Sequence, residues 1–369
     1  MQGYRFLMPT EVFFDAGVAA QAGSQAARFG EKALLVTGKR SSRSSGALDQ
    51  VTASLRDAGL AVEIFDEVEE NPSDTTTHRG ADLARDQGCD VVVALGGGSP
   101  MDAAKGIAVL AALGGKLAHY YGAGAVPGPV LPVLALPTTA GTGSESTGFA
   151  MLHDTAVQRK IPVAHDELLP DVAILSPEFT ISMPPALTAG TGLDILAHAM
   201  DAATSPSGND YTYPLALRAI EMVFDWLPKA YENGQDREAR FRMIMAANIA
   251  GIAFGMSGCH LTHSFGHSLG AVYEMHHGLC VGFFIPQSFQ FCAKVTDKHM
   301  AICKALDISA PTAQEGLDNL LAKVRTFLTS LNVPLTLKDF GISREDFEQK
   351  LPKLVEYSFG DISCYLSPR

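Results

Sequence analysis

The stretch "CHLTHSFGHSLGAVYEMHHG", residues 259–278, contains five of the chain's eleven histidines. Histidine is the commonest metal-binding side chain and titrates near neutral pH, so a cluster this dense raises the question of function. His263 and His267 are four residues apart, which would place both on one face of a helix. Metal ligands, catalytic acids and bases, and a polar helix face are all consistent with this stretch. We expect structural roles for His260 and His276.

A second segment, "TAGTGLDILAHAMDAATS", repeats the four-residue spacing with Asp194 and His198. Two facing helices of this kind would direct one carboxylate oxygen and several imidazole nitrogens at a divalent cation, leaving a coordination position for substrate. The predicted ligands, a set that suits Zn²⁺ or Fe²⁺, are Asp194, His198, His263 and His277. Asp201 shares the face of Asp194. Its role stays open between a hydrogen bond to a ligand and a polar cap.

The segment "VVVALGGGSPMDAAKGIAVL" is typical of a strand that enters a helix through Gly96, Gly97 and Gly98. The pattern predicts Ser99 as the N-cap and Asp102 as its acidic partner. Glycines let an anion approach the backbone N–H groups, and the helix dipole favours phosphate there. The loop therefore indicates a pyrophosphate site, although a tight turn alone also needs glycine and the sequence is not GxGxxG.

A second loop of small residues, "LPTTAGTGSESTG", follows another predicted strand and occupies residues 136–148. It offers four hydroxyl groups, those of Thr138, Thr139, Thr142 and Ser144. Taken alone, this segment is more typical of an ordinary polar loop than of a cofactor contact.

The two halves of the chain differ in their hydrophobic patterns. Continuous apolar runs at 33–37, 61–65, 90–95 and 131–136 favour strands buried on both faces of a parallel sheet, with helices at 44–58 and 74–88. From about residue 181, long amphipathic segments predict helices at 186–204, 211–231, 236–257 and 312–331. We therefore predict an α/β domain at 1–180 and a helical domain at 181–369, with the boundary in "SPEFTISMPP".

Composition excludes several classes of protein. The chain has 369 residues, of which 47% are hydrophobic and 18% charged, as in a compact enzyme. A net charge of −12 argues against nucleic acid as a partner. No apolar run reaches the roughly 18 residues of a membrane span. Six cysteines without CxxC spacing favour a reducing compartment, so we expect a cytoplasmic protein without a membrane partner.

Together, these motifs resemble the iron-containing, or group III, alcohol dehydrogenase family. The matching segments are "ALGGGSPMDAAKGIAVL", "LPTTAGTGSE", "LTAGTGLDILAHAMDA", the pattern from His263 to Gly278 and the terminal "SPR". The resemblance covers nearly the whole chain. It implies a dehydroquinate-synthase-like fold, in which an α/β dinucleotide-binding domain and an all-helical C-terminal metal-binding and substrate domain enclose the active site.

The resemblance also implies roles for individual residues. Asp194, His198, His263 and His277 correspond to the metal ligands, and His267 corresponds to a histidine beside the metal near the nicotinamide. The implied cofactor contacts are Gly97, Gly98, Ser99, Asp102, Thr138, Thr139, Thr142 and Lys160. Two positions depart from the family pattern. Gly38 stands where NAD-preferring members usually carry aspartate, and His276 replaces a small apolar residue.

The activity implied by this resemblance is reversible hydride transfer between a small alcohol and NAD(P)⁺, an alcohol dehydrogenase or aldehyde reductase of EC 1.1.1 type. Fe²⁺ is the first expectation for the metal and Zn²⁺ the second, and a homodimer is the expected assembly. One alternative is a glycerol-dehydrogenase-like or dehydroquinate-synthase-like enzyme, although the latter would need clustered basic residues for its phosphorylated acidic substrate. Another is a non-catalytic scaffold or metal-storage protein on the same fold.

Overall fold

A computed structural model describes residues 5–368. The chain forms two compact units. The first extends from Met8 to Ser182, and the second contains the chain from Met183 onward together with a short N-terminal segment that ends at Leu7. The first unit contains strands and helices, and the second is helical over its described residues. The predicted fold class, an α/β part followed by a helical part, is confirmed.

The first unit is built on a parallel sheet of six strands with the order β1-β9-β6-β4-β2-β3. A smaller sheet has the order β5-β8-β7. In chain order the strands are β1 (Glu11–Phe14), β2 (Lys32–Gly38), β3 (Ala61–Val68), β4 (Val91–Gly96), β5 (Gly122–Ala123), β6 (Val133–Pro137), β7 (Phe149–Asp154), β8 (Arg159–Ala164) and β9 (Val172–Leu175).

Helices cover both faces of the large sheet, which explains the continuous apolar runs of its strands. The helices of this unit are α1 (Ala22–Ala26), α2 (Ser41–Ser44), α3 (Ala47–Asp57), α4 (Asp74–Gln87) and α5 (Gly98–Leu113). On one face, Leu34 of β2 is buried in a core cluster with Ile107 of α5. On the other face, Leu35 belongs to a cluster with Val51 of α3. Alternate residues of one strand therefore belong to two separate cores.

The strand order reverses between β2 and β4. The chain moves from β2 to the edge strand β3, then crosses back to β4 on the other side of β2. Thr37 pairs with Leu95, so the carboxyl ends of the two strands, at Gly38 and Gly96, are neighbours. In open α/β sheets, ligands bind outside the carboxyl ends of the strands at such a reversal.

The second unit is organised around one central helix. Its helices are α6 (Pro185–Thr204), α7 (Thr212–Glu232), α8 (Arg237–Ser257), α9 (Leu261–Tyr273), α10 (His277–Cys292), α11 (His299–Ala305), α12 (Ala313–Ser330), α13 (Arg344–Gly360) and α14 (Ile362–Tyr365). Every residue of α6 from Thr188 to Thr204 is buried, as expected for a helix surrounded by others. Helices α7, α8, α9 and α10 all contact it.

Within residues 5–368, no single helix is both long and apolar enough to cross a membrane. Only α8 and α9 taken together meet the length and composition required, and this pair is bent by 105°.

Glycines allow three helices of the second unit to approach closely. A Cβ atom on Gly278 of α10 would lie 1.9 Å from the carbonyl oxygen of Gly190 in α6, and one on Gly282 would lie 2.8 Å from Leu193 Cδ1. A Cβ atom on Gly266 of α9 would lie 2.4 Å from Val281 of α10. These positions need glycine because the neighbouring helix occupies the space of a side chain.

Candidate active site

The three predicted histidine ligands lie around a carboxylate oxygen of Asp194, the fourth predicted ligand, in the helical unit. Asp194 and His198 are one turn apart on α6, His263 is on α9 and His277 is the first residue of α10. The distances from Asp194 Oδ1 to the Nε2 atoms are 3.1 Å for His277, 3.7 Å for His198 and 3.8 Å for His263. The close approach of α6 to α10 at Gly190 and Gly278 is what brings Asp194 to His277.

The polar atoms of this cluster fit a cation better than they fit one another. Among the residues that the structure describes, Asp194 Oδ1, His198 Nδ1 and His263 Nε2 are buried without a hydrogen-bond partner. Buried polar atoms are normally satisfied, because burial without a partner costs free energy. Ligand atoms of Asp194, His263 and His277 lie within 4.8 Å of one another. One carboxylate and three imidazoles are a ligand set suited to Fe²⁺ or Zn²⁺.

The electrostatics of Asp194 and His198 favour the forms that bind metal. Burial alone would raise the pKa of Asp194, but the imidazoles of His198 and His277 hold that pKa well below its ordinary value. Burial lowers the pKa of His198 to about 3, despite the neighbouring Asp194 carboxylate. At neutral pH, Asp194 is therefore an anion and His198 a neutral imidazole. A metal requires these two protonation states.

Asp201 orients one of the predicted ligands. Its Oδ2 lies 2.8 Å from His263 Nδ1 and also accepts a hydrogen bond from the backbone N–H of His260 at 2.9 Å. Because Nδ1 of His263 donates to Asp201, Nε2 is the nitrogen that faces Asp194. Burial would lower the pKa of His263, but its neighbours, the two carboxylates among them, raise it, so a metal would have to displace a proton from Nε2. Asp201 thus makes both contacts that the sequence left open, a hydrogen bond to a predicted ligand and a polar contact with the backbone at the start of α9.

Two aromatic contacts fix the ring of His198. Phe254 of α8 stacks on it with a centroid distance of 3.9 Å and an interplanar angle of 6°, and His263 stacks with a centroid distance of 4.5 Å. Sequence reasoning did not identify Phe254, because an aromatic residue in an apolar helix carries no mark of such a contact.

His267 lies beside this cluster and has a partner of its own. Its Nδ1 is 2.6 Å from Asp361 Oδ2, and its ring stacks on His277 with a centroid distance of 5.0 Å. Among the described residues, His267 belongs to no group of side chains close enough to share a metal ion. Sequence reasoning missed Asp361 because it lies 94 residues away along the chain and no spacing signals the contact.

The other two histidines of the segment take structural positions. His260 is fully buried, accepts the backbone N–H of Leu261 as the N-cap of α9 and lies 2.7 Å from Thr204 Oγ1. His276 is the N-cap residue of α10 and its ring lies against Gly190, where a Cβ atom would be only 2.7 Å from His276 Cε1.

In the α/β unit, the glycine loop leads into α5 without a side-chain cap. The helix begins at Gly98, and Gly97 is its extended N-cap residue. The prediction of Ser99 as N-cap is wrong, since Ser99 lies inside the first turn and its hydroxyl donates to the carbonyl of Glu70. An N-terminus that no side chain caps is well suited to an anion, because its N–H groups lack a helical partner.

Asp102 of α5 contacts the second predicted cofactor loop, residues 136–148, which we call the threonine loop. It is not the acidic partner of a helix cap, so that prediction is also wrong. Its two carboxylate oxygens accept hydrogen bonds from Ser144 Oγ at 2.8 Å and from the backbone N–H of Met151 at 3.0 Å. One turn later, the buried Lys105 ammonium donates to the carbonyls of three residues at 2.7–2.9 Å, namely Ser144, Thr147 and Phe149. These bonds hold the threonine loop on α5.

The two predicted cofactor loops lie directly against each other. A Cβ atom on Gly97 would be 3.1 Å from Thr139 Oγ1, and one on Gly98 would be 2.8 Å from Thr142 Cγ2. Thr138 is tied to Gly96 by a backbone hydrogen bond of 2.8 Å. Glycine at 97 and 98 therefore leaves room for the threonine side chains.

The two remaining predicted cofactor residues are Lys160 and Gly38. Lys160 is exposed on β8, where its charge interacts with that of Asp102. Gly38 ends β2 beside the first turn of α5, and its nearest neighbours for a Cβ atom are Val68 O at 3.6 Å and Pro100 Cγ at 3.8 Å.

The basic residues that follow Gly38 differ in whether their charges are paired with a carboxylate. Lys39 and Arg40 are exposed. Arg43, on the short helix α2, forms an ion pair with Asp66 of β3 at 2.7 Å.

Comparison with known proteins identifies the class. Residues 9–177 match the family model described as iron-containing alcohol dehydrogenase, and residues 188–362 match that of the Fe-containing alcohol dehydrogenase family, C-terminal. The chain belongs to the iron-containing alcohol dehydrogenase family.

Individual relatives are similar to this chain over nearly their whole length. The chain is 34% identical to an NAD-dependent methanol dehydrogenase of Bacillus methanolicus over 368 residues, covering 99% of this chain and 95% of that protein. It is 34% identical to an NADPH-dependent butanol dehydrogenase of Clostridium saccharobutylicum, covering 99% and 94%. The crystal structure of a 1,3-propanediol oxidoreductase matches with a TM-score of 0.95 and 32% identity, covering 100% of this chain and 96% of the other. The expected class, a metal-dependent alcohol dehydrogenase that uses NAD(P), is confirmed.

Proposed function

We propose that this chain oxidises small primary alcohols or diols to aldehydes with NAD(P)⁺, and catalyses the reverse reduction, at a divalent metal held by Asp194, His198, His263 and His277. The observation that carries this proposal is the convergence of the Nε2 atoms of three histidines on Asp194 Oδ1, a buried oxygen without a hydrogen-bond partner among the described residues. The relatives act on methanol, butanol and 1,3-propanediol according to their names, which favours small unbranched substrates.

The ion would act as a Lewis acid on the substrate oxygen, and the nicotinamide would accept or supply the hydride. The chain's own residues prepare the centre for both. Asp194 supplies the negative charge that retains a cation, and Asp201 keeps His263 in the tautomer whose Nε2 is free. Phe254 covers the ring of His198 and excludes water from that side.

His267 is the residue we propose to handle the alcohol proton. Its Nδ1 is occupied by Asp361, so Nε2 is the nitrogen that remains to accept a proton or release one to solvent. The side chain is 37% exposed, which gives it a route to water that the buried His263 lacks. Proton transfer by a positioned histidine typically contributes 10²–10⁴-fold to a rate.

We assign dinucleotide binding to the α/β unit and metal and substrate binding to the helical unit. Support comes from the uncapped N-terminus of α5 and the threonine loop packed against it, at the reversal of strand order. We further propose that NADP(H) is used at least as well as NAD(H). Gly38 carries no carboxylate to repel a 2′-phosphate, and Lys39 and Arg40 lie next to it.

Three finer points complete the proposal. Fe²⁺ is the native metal, in line with the family's description, and Zn²⁺ is the alternative. The enzyme works in the cytoplasm, because the buried free cysteines need a reducing environment to remain thiols. It assembles as a homodimer and needs neither nucleic acid nor a membrane.

The test is the metal content of ligand variants. His263→Ala and His277→Ala should each lose the metal and the alcohol dehydrogenase activity while keeping the helical circular-dichroism spectrum, because a catalytic metal is less tied to folding than a structural one. His165→Ala, a change outside the helical unit, serves as the matched control. Full metal occupancy and normal turnover in both ligand variants would contradict the assignment.

A further inference from the structure

A thiol lies next to the candidate metal centre. One ligand atom from each of His198, Cys259 and His263 lies within 4.8 Å of the others. This group shares His263 with the group formed by Asp194, His263 and His277, so the two sets overlap at one centre. Cys259 was absent from the ligands expected from the sequence.

A rigid corner of the backbone presents this thiol. Cys259 lies between Gly258, which ends α8 with a φ of 74°, and His260, the N-cap of α9. The backbone N–H of His260 is bonded to Asp201, and α8 and α9 meet there at 105°. Cys259 is only half-buried, whereas the other five cysteines are buried. It is therefore the cysteine most open to an incoming ion.

The neighbouring nitrogens supply a second, independent indication of a ligand. His263 Nε2, which faces Asp194, is buried without a hydrogen-bond partner among the described residues, and its side chain is more than nine-tenths buried. His198 is likewise more than nine-tenths buried and faces Asp194 through Nε2, so its Nδ1, which is also unpartnered, is directed away from Asp194. A tetrahedral Zn²⁺ with N and S ligands holds its ligand atoms about 3.5 Å apart, from bond lengths of about 2.0–2.3 Å. The three ligand atoms lie within 4.8 Å of one another, so side-chain rotation has to close any separation beyond this tetrahedral spacing.

We propose that Cys259 is an additional ligand of this centre, which binds thiophilic divalent ions such as Zn²⁺ and Co²⁺ through its sulfur together with His198 and His263. Asp194 and His277 complete the nitrogen and oxygen set that suits Fe²⁺. On binding, the thiol releases its proton to solvent and a metal–sulfur bond forms without a change in oxidation state. Thiolate ligands select soft ions, so Cys259 raises the preference for Zn²⁺ over Fe²⁺. This inference rests on the metal centre of the proposed function.

Cobalt provides the readout, because thiolate coordination to Co²⁺ gives a charge-transfer band in the near ultraviolet that imidazole and carboxylate do not produce. One equivalent of Co²⁺ added to the metal-free full chain should give this band together with visible ligand-field bands. Cys259→Ser should lose the charge-transfer band and still bind Co²⁺. Its ratio of Zn²⁺ to Fe²⁺ affinity should fall roughly tenfold or more, since one soft ligand is lost. Cys89→Ser, in the α/β unit, is the matched control and should keep the band.

A measurement on the unaltered protein covers the case in which the serine variant does not fold. Zn²⁺ should slow alkylation of Cys259, located by peptide mapping, and leave that of the buried cysteines unchanged. Cobalt bound without a charge-transfer band, or alkylation of Cys259 unaffected by Zn²⁺, would overturn the role of Cys259 alone. Failure of the protein to bind either ion would overturn the metal centre as well.

Discussion

His267 Nδ1 lies 2.6 Å from Asp361 Oδ2, so the histidine beside the metal centre takes its orientation from a residue at the start of α14. Burial would raise the pKa of Asp361, but the hydrogen bond from His267 lowers it to about 2. The partner of His267 is therefore a carboxylate throughout the neutral range. Asp361 also caps α14, where its Oδ1 accepts the backbone N–H of Ser363 at 2.8 Å.

Asp361→Asn should lower kcat/KM by about ten- to a hundredfold, because a hydrogen bond to a charged group is worth about 1.5–3 kcal/mol. The amide can still cap α14, so the fold should persist. Metal content should stay at the wild-type level, as it should in His267→Ala, because we place His267 outside the ligand set. Steady-state kinetics and elemental analysis of both variants check this. Metal loss in His267→Ala equal to that in His263→Ala would instead make His267 a ligand.

Gly278→Ala should weaken metal binding and destabilise the helical unit by about 1–3 kcal/mol, the usual cost of overpacking. Helix propensity alone predicts the opposite sign, since alanine stabilises a helix interior by about 1 kcal/mol relative to glycine. We expect the steric clash to outweigh helix propensity, because the new Cβ would lie 1.9 Å from Gly190 O. Urea unfolding and metal titration measure both effects. Gly128→Ala is the control, since a Cβ there meets no atom within 4 Å.

Gly38→Asp should shift the cofactor preference toward NADH. The added Cβ fits, as its nearest neighbours are at 3.6 and 3.8 Å, and the carboxylate would repel a 2′-phosphate. The measurement is kcat/KM with NADH and with NADPH for the wild type and the variant. A wild-type preference for NADH of about a hundredfold, equivalent to about 2.7 kcal/mol, would show that another position sets the choice.

Lys105→Met should destabilise the α/β unit by about 3 kcal/mol, because it leaves buried carbonyl oxygens of the threonine loop without a donor. The size of the loss should depend on pH. Burial lowers the pKa of Lys105 to about 8, although Asp102 and Glu145 favour the charged form. The unfolded chain, with a lysine pKa of about 10.4, then holds one more proton between about pH 8 and 10.4. The wild type should gain up to about 1.4 kcal/mol per pH unit over the variant in that window.

The difference in free energy of unfolding between the wild type and Lys105→Met is thus largest above the pKa of lysine in the unfolded chain. It decreases as the pH falls to about 8. Urea unfolding of both proteins at pH 7.5 and 9.5 should show a wider gap at the higher pH. Lys338→Met, at an exposed lysine, should leave the free energy of unfolding nearly unchanged at both values. An equal gap at both pH values for Lys105→Met would mean that Lys105 titrates at its ordinary pKa.

Strong local patterns predicted most of the elements. The apolar run at 33–37 lies within β2, and the predicted helices at 186–204 and 236–257 differ from α6 and α8 by one residue at an end. The small sheet of β5, β7 and β8 was not predicted, because β5 has only two residues and β8 begins with two basic residues and contains Pro162. A pattern of period two or 3.6 identifies an element only when one of its faces is apolar throughout.

Long-range contacts explain which residues were missed at the candidate metal centre and at the predicted cofactor loops. Ser99 and Asp102 have the spacing of a capping box, yet Asp102 bonds to Ser144, 42 residues away. Asp361 and Cys259 likewise lie close to their histidine neighbours in space and not through a regular spacing in sequence. Asp194 and His198 could be proposed as ligands because they lie one helical turn apart, and the same spacing from His267 drew attention to His263, whereas His277 falls on no such repeat. No such repeat exists for a partner supplied by another helix.

The contact between His267 and Asp361 also sets an order of assembly during translation. The ligand set is complete in sequence once His277 has been made, but Asp361 follows 84 residues later, counted from position 277 to 361. At about 5–20 residues per second, synthesis of that interval takes roughly 4–17 s. A nascent chain thus contains every proposed ligand before it contains the carboxylate that orients His267, so this histidine can take its final orientation only after the whole ligand set has been made.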